Sequence, residues 1–125
     1  MSCKPVKLNP VTVQENCCVR DQNRWKATTL FEHAKGLEAF EIPLAGMPIG
    51  TTCWNAARSP QRLAEEIVRV MSADLDKPII LSDDGFVLDG WHRVTRALVE
   101  GRTHISAVRF EKDPEPDWIV SEDGQ

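Results

Sequence analysis

The residues with the most chemistry to offer are consecutive: Asp89-Gly-Trp-His-Arg93, with Arg96 three positions on. An imidazole with an ordinary pKa of about 6.5 can donate to a phosphate or move a proton near neutral pH. A guanidinium next to it presents a planar fork to the same anion. A carboxylate beside a phosphate is repelled unless a divalent ion intervenes or it carries a proton. Asp89 is therefore a candidate Mg²⁺ ligand or general base, and the plainer reading is a cap on the helix amides. The plainer role of Arg93 is a salt bridge to Asp84 or Asp89, and that of His92 a hydrogen bond at the helix end. Arg96, one turn beyond His92, is a second phosphate candidate. Trp91 goes either into the core or against a base.

What places these groups is a strand–turn–strand–helix stretch from Lys77 to Glu100. Ile79 to Leu81 and Phe86 to Leu88 are short apolar runs, and Asp84-Gly85 between them is a hairpin turn. Gly90 lets the chain turn sharply into a helix that Gly101 stops. On that helix Trp91, Val94, Ala97 and Leu98 share one face; His92, Arg93, Arg96 and Glu100 share the other. The first turn of a helix has unpaired N–H groups and the positive end of the dipole, so Gly90, Trp91, His92 and Arg93 form a candidate phosphate or nucleotide site.

The rest of the chain reads as follows. Residues 1–37 form an N-terminal extension, mostly loop, with Val6 and Leu8 a candidate strand and Trp25 to Lys35 a short helix capped by Thr28 or Thr29. Phe40, Ile42 and Leu44 alternate as a half-buried strand that Pro43 confines to an edge. Ala45 to Arg58, with Gly46, Pro48 and Gly50, is a loop anchored by Trp54. Ser59-Pro60 opens a helix to about Ala73. Its stripe of Leu63, Ile67, Val70 and Met71 should be buried, with a Glu65–Arg69 pair outside. His104 to Phe110 is the last strand. Its apolar residues break alternation at Ala107-Val108, which suggests cover on both faces or a bulge. From Glu38 the order is strand, helix, strand, strand, helix, strand, so the fold class is α/β (α+β) with a small mixed sheet and packed helices, and the domain proper spans 38–110.

At 125 residues with 42% hydrophobic and 27% charged side chains, the composition is that of one globular domain. No apolar run approaches the roughly 20 residues of a membrane span, and the N-terminus lacks a signal-peptide core, so a cytoplasmic location is expected. Cys3, Cys17, Cys18 and Cys53 have no zinc spacing and read as thiols. Residues 111–125 form an acidic tail with six acidic residues and one basic, leaving the other 110 residues at 14 basic and 13 acidic. That near-neutral body argues against strong non-specific DNA binding. The tail stays loose unless Trp118-Ile-Val120 docks, and it could mimic DNA or cover the cationic site.

Phe40-Glu-Ile-Pro-Leu44, Pro78-Ile-Ile-Leu81, Asp84-Gly-Phe-Val-Leu-Asp-Gly-Trp-His-Arg93 and Ile105-Ser-Ala-Val-Arg109, in this order, resemble the ParB/sulfiredoxin fold family. The most specific piece, Asp89-Gly-Trp-His-Arg93, is similar to the D-G-x-H-R pattern of ParB-like proteins. The resemblance implies nucleotide phosphates held by the Gly90–His92 backbone and by the His92 and Arg93 side chains, with Asn55 and Arg58 in a loop that approaches the nucleotide. Trp91 stands where sulfiredoxin has its cysteine and where ParB has a metal-holding glutamate, so neither of those chemistries carries over. Three functions remain: a domain that binds a nucleotide or other phosphate-bearing ligand; a Mg²⁺-dependent nuclease or nucleotide hydrolase with Asp89 and His92 reactive; and a non-catalytic regulatory module of phage or plasmid origin.

Overall fold

A computed structural model describes residues 4–10, 17–51 and 59–121, with the Cys17 side chain excepted. Trp54, Asn55, Arg58, Cys3 and Cys53 lie outside the described residues. Seven strands and three α-helices follow in the order β1 (Cys17–Arg20), β2 (Asn23–Lys26), α1 (Ala27–Ala34), β3 (Phe40–Pro43), α2 (Pro60–Met71), β4 (Ile79–Leu81), β5 (Val87–Asp89), α3 (Trp91–Val99), β6 (His104–Arg109) and β7 (Trp118–Ile119). The fold is α+β.

Four strands form a mixed sheet in the order β3-β6-β4-β5. β4 and β6 are parallel, joined through β5 and α3, and the other pairs are antiparallel. Pro43 sits on edge strand β3, where a missing N–H costs no ladder bond. The apparent break in β6 is explained by its central position. Ile105 and Ala107 face one core with Leu44, Ile79, Leu81, Val87, Val94 and Ala97. Val108, followed by Phe110, faces a second core with Cys18, Trp25, Ala27, Leu30, Ile80 and Leu88. A strand covered on both faces has no polar side to show.

That second core corrects the view of the N-terminal segment as mostly loop. β1 and β2 form a hairpin that continues into α1, and together they cover one face of the sheet. Trp25 is in β2 rather than in the helix, 1% exposed, and its indole N–H donates to the Pro114 carbonyl at 3.0 Å. Residues 4–10 contain no strand, so the one expected at Val6 and Leu8 is not formed. The helix begins before Thr28, and Lys26 at its cap offers no side-chain bond. Asp117 fills that role from the tail by accepting the Lys26 N–H at 2.8 Å. The described part of the tail is accordingly docked: β7 pairs with β2, and Asp113 accepts the Asp83 N–H at 2.8 Å.

The β4–β5 turn is clamped to the hairpin by Arg20, which pairs with Asp84 and donates to Ser82 Oγ at 2.8 Å. Arg20 also lies over the Phe86 ring, 4.8 Å from its centroid. With the guanidinium and the Ser82 hydroxyl both donating to it, the Asp84 carboxyl is held far below the usual carboxylate range.

The second helix departs most from expectation. Ser59 caps α2 by accepting the Arg62 N–H at 3.1 Å, and Pro60 takes the first helical position. Of the apolar stripe, however, only Val70 is buried; Leu63, Ile67 and Met71 are 47%, 51% and 55% exposed. Glu65 accepts the Asn9 N–H at 2.8 Å instead of pairing with Arg69. The helix is rotated so that Glu66 and Arg69 point toward the body.

Candidate functional site

The β5–α3 junction is set by one glycine. Gly90 has φ +127°, and a Cβ there would lie 2.4 Å from Ile79 Cγ2. Only glycine permits both the backbone conformation and the close approach to β4. Gly90 is also the cap residue of α3 and has no side chain to bond the first-turn N–H groups. The Asp89 carboxylate does not cap them either. Its Oδ2 lies 3.6 Å from Arg93 Nη1, and its Oδ1 lies 3.8 Å from the Cys18 thiol. A helix start lacking a side-chain cap keeps its positive electrostatic character.

A cleft of about 290 Å³ opens at this junction. Asp89, Gly90, His92 and Arg93 line one side, and Arg69, Ser72, Ala73, Asp74 and Lys77 line the side formed by the end of α2 and the loop after it. Ala27 and Phe31 of α1 supply an apolar wall. Three cations (Arg69, Lys77 and Arg93) therefore meet two carboxylates. Burial pushes the Asp89 carboxyl up, with the Arg93 guanidinium opposing it.

Arg93 is well placed but already occupied in part. Its Nη1 donates to the Pro78 carbonyl at 3.2 Å, while Nε is buried without a partner. The plainer reading of Arg93 holds with one of its two expected partners: the guanidinium is in an ion pair with Asp89, while Asp84 pairs with Arg20. Trp91 packs against the core with Val94 and Ala97, and its carbonyl accepts the Thr95 hydroxyl at 2.8 Å. Leu98, expected beside it, is 41% exposed.

His92 meets a partner that the sequence reading did not name. Its Nε2 lies 2.6 Å from Glu66 Oε2, both side chains being mostly buried. Burial pulls the imidazole below its ordinary value, and the Glu66 hydrogen bond only partly opposes this. Which atom of the pair carries the shared proton depends on the ring tautomer, and the contact fixes the orientation of the imidazole beside the cleft.

Arg96, the other expected phosphate contact, lies outside the lining of this cleft. Its Nη1 donates to the Met71 and Ala73 carbonyls at 2.8 and 2.7 Å, and its Nε to Glu100 at 2.8 Å. It closes the C-terminus of α2 and is no part of the cleft. Arg69 and Lys77 take the place expected of it. Lys77 was visible as the first residue of the Lys77–Glu100 stretch, two positions before β4. Glu66 was assigned no role, and Arg69 only an outer-face pair with Glu65, because the apolar stripe was given the inward face. Charged residues at positions 66 and 69, flanking Val70, were the available signal.

Asp89 is the position at which the sequence places a candidate Mg²⁺ ligand. The carboxylate faces Arg93, and among the described residues no group of three His, Cys, Asp or Glu side chains could hold a metal. The described tail residues line no part of the cleft, so among them nothing covers it.

No family model, curated protein or solved structure matches this chain. Among the described residues no helix is long and apolar enough to cross a membrane.

Proposed function

We propose that this protein binds a small phosphate-bearing ligand of the nucleotide class in the cleft at the start of α3. The observation that carries this reading is the convergence of a glycine-capped helix start with Arg69, Lys77 and Arg93 on one cleft. The phosphate would take the N–H groups of the first turn and the two cations facing them, while Phe31 offers an apolar surface for the remainder of the ligand. The ParB/sulfiredoxin resemblance supports the nucleotide class, because the segment from Phe40 to Arg109 keeps the order strand, helix, strand, strand, helix, strand. Any Mg²⁺ arriving with a nucleotide would be carried mainly by the ligand's phosphates, since Asp89 is engaged with Arg93.

One observation favours a second reading, hydrolysis of the bound ligand. Glu66 and His92 form an oriented carboxylate–imidazole pair at the cleft, an arrangement that suits a general base acting on an attacking water. In this reading His92 is the base and Glu66 holds its tautomer. Asp89 keeps Arg93 in place rather than reacting.

Titration with inorganic phosphate, ATP, CTP, GTP and ADP, with and without Mg²⁺, tests the binding reading by melting temperature. A ligand at 100 Kd adds about 2.7 kcal/mol of stability, and Lys77→Ala and Arg69→Ala should each weaken it. No stabilisation by any of these ligands, or stabilisation indifferent to both substitutions, overturns the reading. Hydrolysis is tested separately: product formation must be lost in His92→Ala while binding persists.

A further inference from the structure

We propose that the cleft at the start of α3 takes a nucleoside monophosphate in preference to the corresponding triphosphate, and that Asp74 is the residue that sets this limit. The proposal rests on the binding of a phosphate-bearing ligand in this cleft and adds how many phosphates the cleft accepts. The donor set is sized for one group. The Val94 N–H donates to the Gly90 carbonyl at 3.0 Å and closes the first turn of α3. The N–H groups of Trp91, His92 and Arg93 ahead of it therefore have no intrahelical partner. Three donors on one turn match the three terminal oxygens of a single phosphate. A loop that cradles a polyphosphate draws its N–H groups from a longer glycine-rich run. Here Gly90 is the one glycine between Phe86 and Glu100. The cleft volume of about 290 Å³ is also at the small end for a ligand site, where roughly 300–1,000 Å³ is usual.

The charge balance points the same way. Arg69, Lys77 and Arg93 line the cleft with Asp74 and Asp89, which leaves one net positive charge. The helix end adds roughly half a charge more. A phosphate monoester carries about −1.5 to −2 near neutral pH, so one group is closely matched. Each further phosphate brings negative charge that no cation of the cleft remains to meet. Asp89 is paired with Arg93, so Asp74 is the carboxylate that a longer phosphate chain encounters. Its place is built into the turn after α2. The Lys77 N–H donates to the Asp74 carbonyl at 3.2 Å, and the Asp76 N–H donates to Asp74 Oδ1 at 2.9 Å. Leu75, inside the same turn, packs against the core. One anchored turn thus holds an attractive Lys77 and a repulsive Asp74 on the same wall.

Isothermal titration calorimetry on the full chain tests this with AMP, ADP and ATP, and with CMP, CDP and CTP, without Mg²⁺ and at constant ionic strength. A pH of 8 is used, where His92, held below its ordinary value by burial, adds no charge to the balance. In the series that binds, the monophosphate should bind at least about tenfold more tightly than the triphosphate. Asp74→Asn keeps an acceptor for the Asp76 N–H and should narrow that ratio at least about threefold, by strengthening the triphosphate more than the monophosphate. A triphosphate that binds as tightly as its monophosphate overturns the proposal. So does a ratio that Asp74→Asn leaves unchanged; either result leaves the ligand reading standing. No binding in either series overturns both.

Discussion

The helices α2 and α3 have similar amphipathic sequences and opposite fates. α3 turns Val94 and Ala97 into the core beneath the sheet, and its His92 and Arg93, both mostly buried, face α2 and the cleft. α2 turns Glu66 and Arg69 inward, buries only Val70, and leaves Leu63, Ile67 and Met71 to solvent. The difference lies in what each helix has to pack against. α3 lies on Ile79, Leu81 and Ile105 of the sheet, an apolar floor. α2 lies beside α3, where His92 offers Glu66 a partner and Arg96 offers one to the carbonyls of its last turn. Periodicity reports that a helix has an apolar face; the neighbour decides whether that face goes inside.

The substitutions that separate the two helices follow from this, beginning with the greatest effect. Gly90→Ala should remove about 3–5 kcal/mol, because it combines a strained positive φ with overlap against Ile79. Urea unfolding measures it, and a loss under 1 kcal/mol would mean that the β5–α3 junction can relax. Val94→Ala in α3 should cost about 2 kcal/mol, whereas Ile67→Ala in α2 should stay within about 0.5 kcal/mol. Equal costs would erase the contrast between the helices. Arg96→Ala should cost about 1 kcal/mol by freeing the α2 carbonyls, yet leave anion affinity unchanged. A loss of affinity there would return Arg96 to the site.

The pH dependence is the finest probe of the pair joining the helices. The folded-state pKa of His92 lies below 6.5, so the unfolded chain binds the proton more readily, and stability falls as pH drops from 6.5 through the lowered value. Asp89 works in the other direction. Its folded-state pKa lies above 3.8, so its contribution falls as pH rises from 3.8 through the raised value. Melting temperature against pH should therefore lose its decline below 6.5 in His92→Gln, and lose part of its decline with rising pH above 3.8 in Asp89→Asn. Unchanged profiles would mean that neither group is as buried as described.

Local signals in the sequence carried the fold further than they carried the site. Ser59-Pro60, Asp84-Gly85, Gly90 and Gly101 mark boundaries that depend only on backbone chemistry, and each marks a boundary in the structure. The β1–β2 hairpin was not legible, because Asn23-Arg-Trp-Lys26 gains its apolar environment from Ile80, Leu88 and Phe110, far along the chain. The cap of α1 lies 91 residues from the N–H it accepts. At the site, Gly90 and Arg93 were legible as a helix start with a cation. Glu66 and Arg69 were not, since their part depends on which way α2 is rotated.

The central claim is that an anion binds at the start of α3. Amide chemical shifts followed during titration with inorganic phosphate and then ATP test it most directly. The account predicts saturable shifts at Gly90, Trp91, His92 and Arg93, with smaller ones at Lys77 and Arg69, and none at Arg102, which lies away from the cleft. Shifts confined to other parts of the chain, or none at these residues, would contradict it.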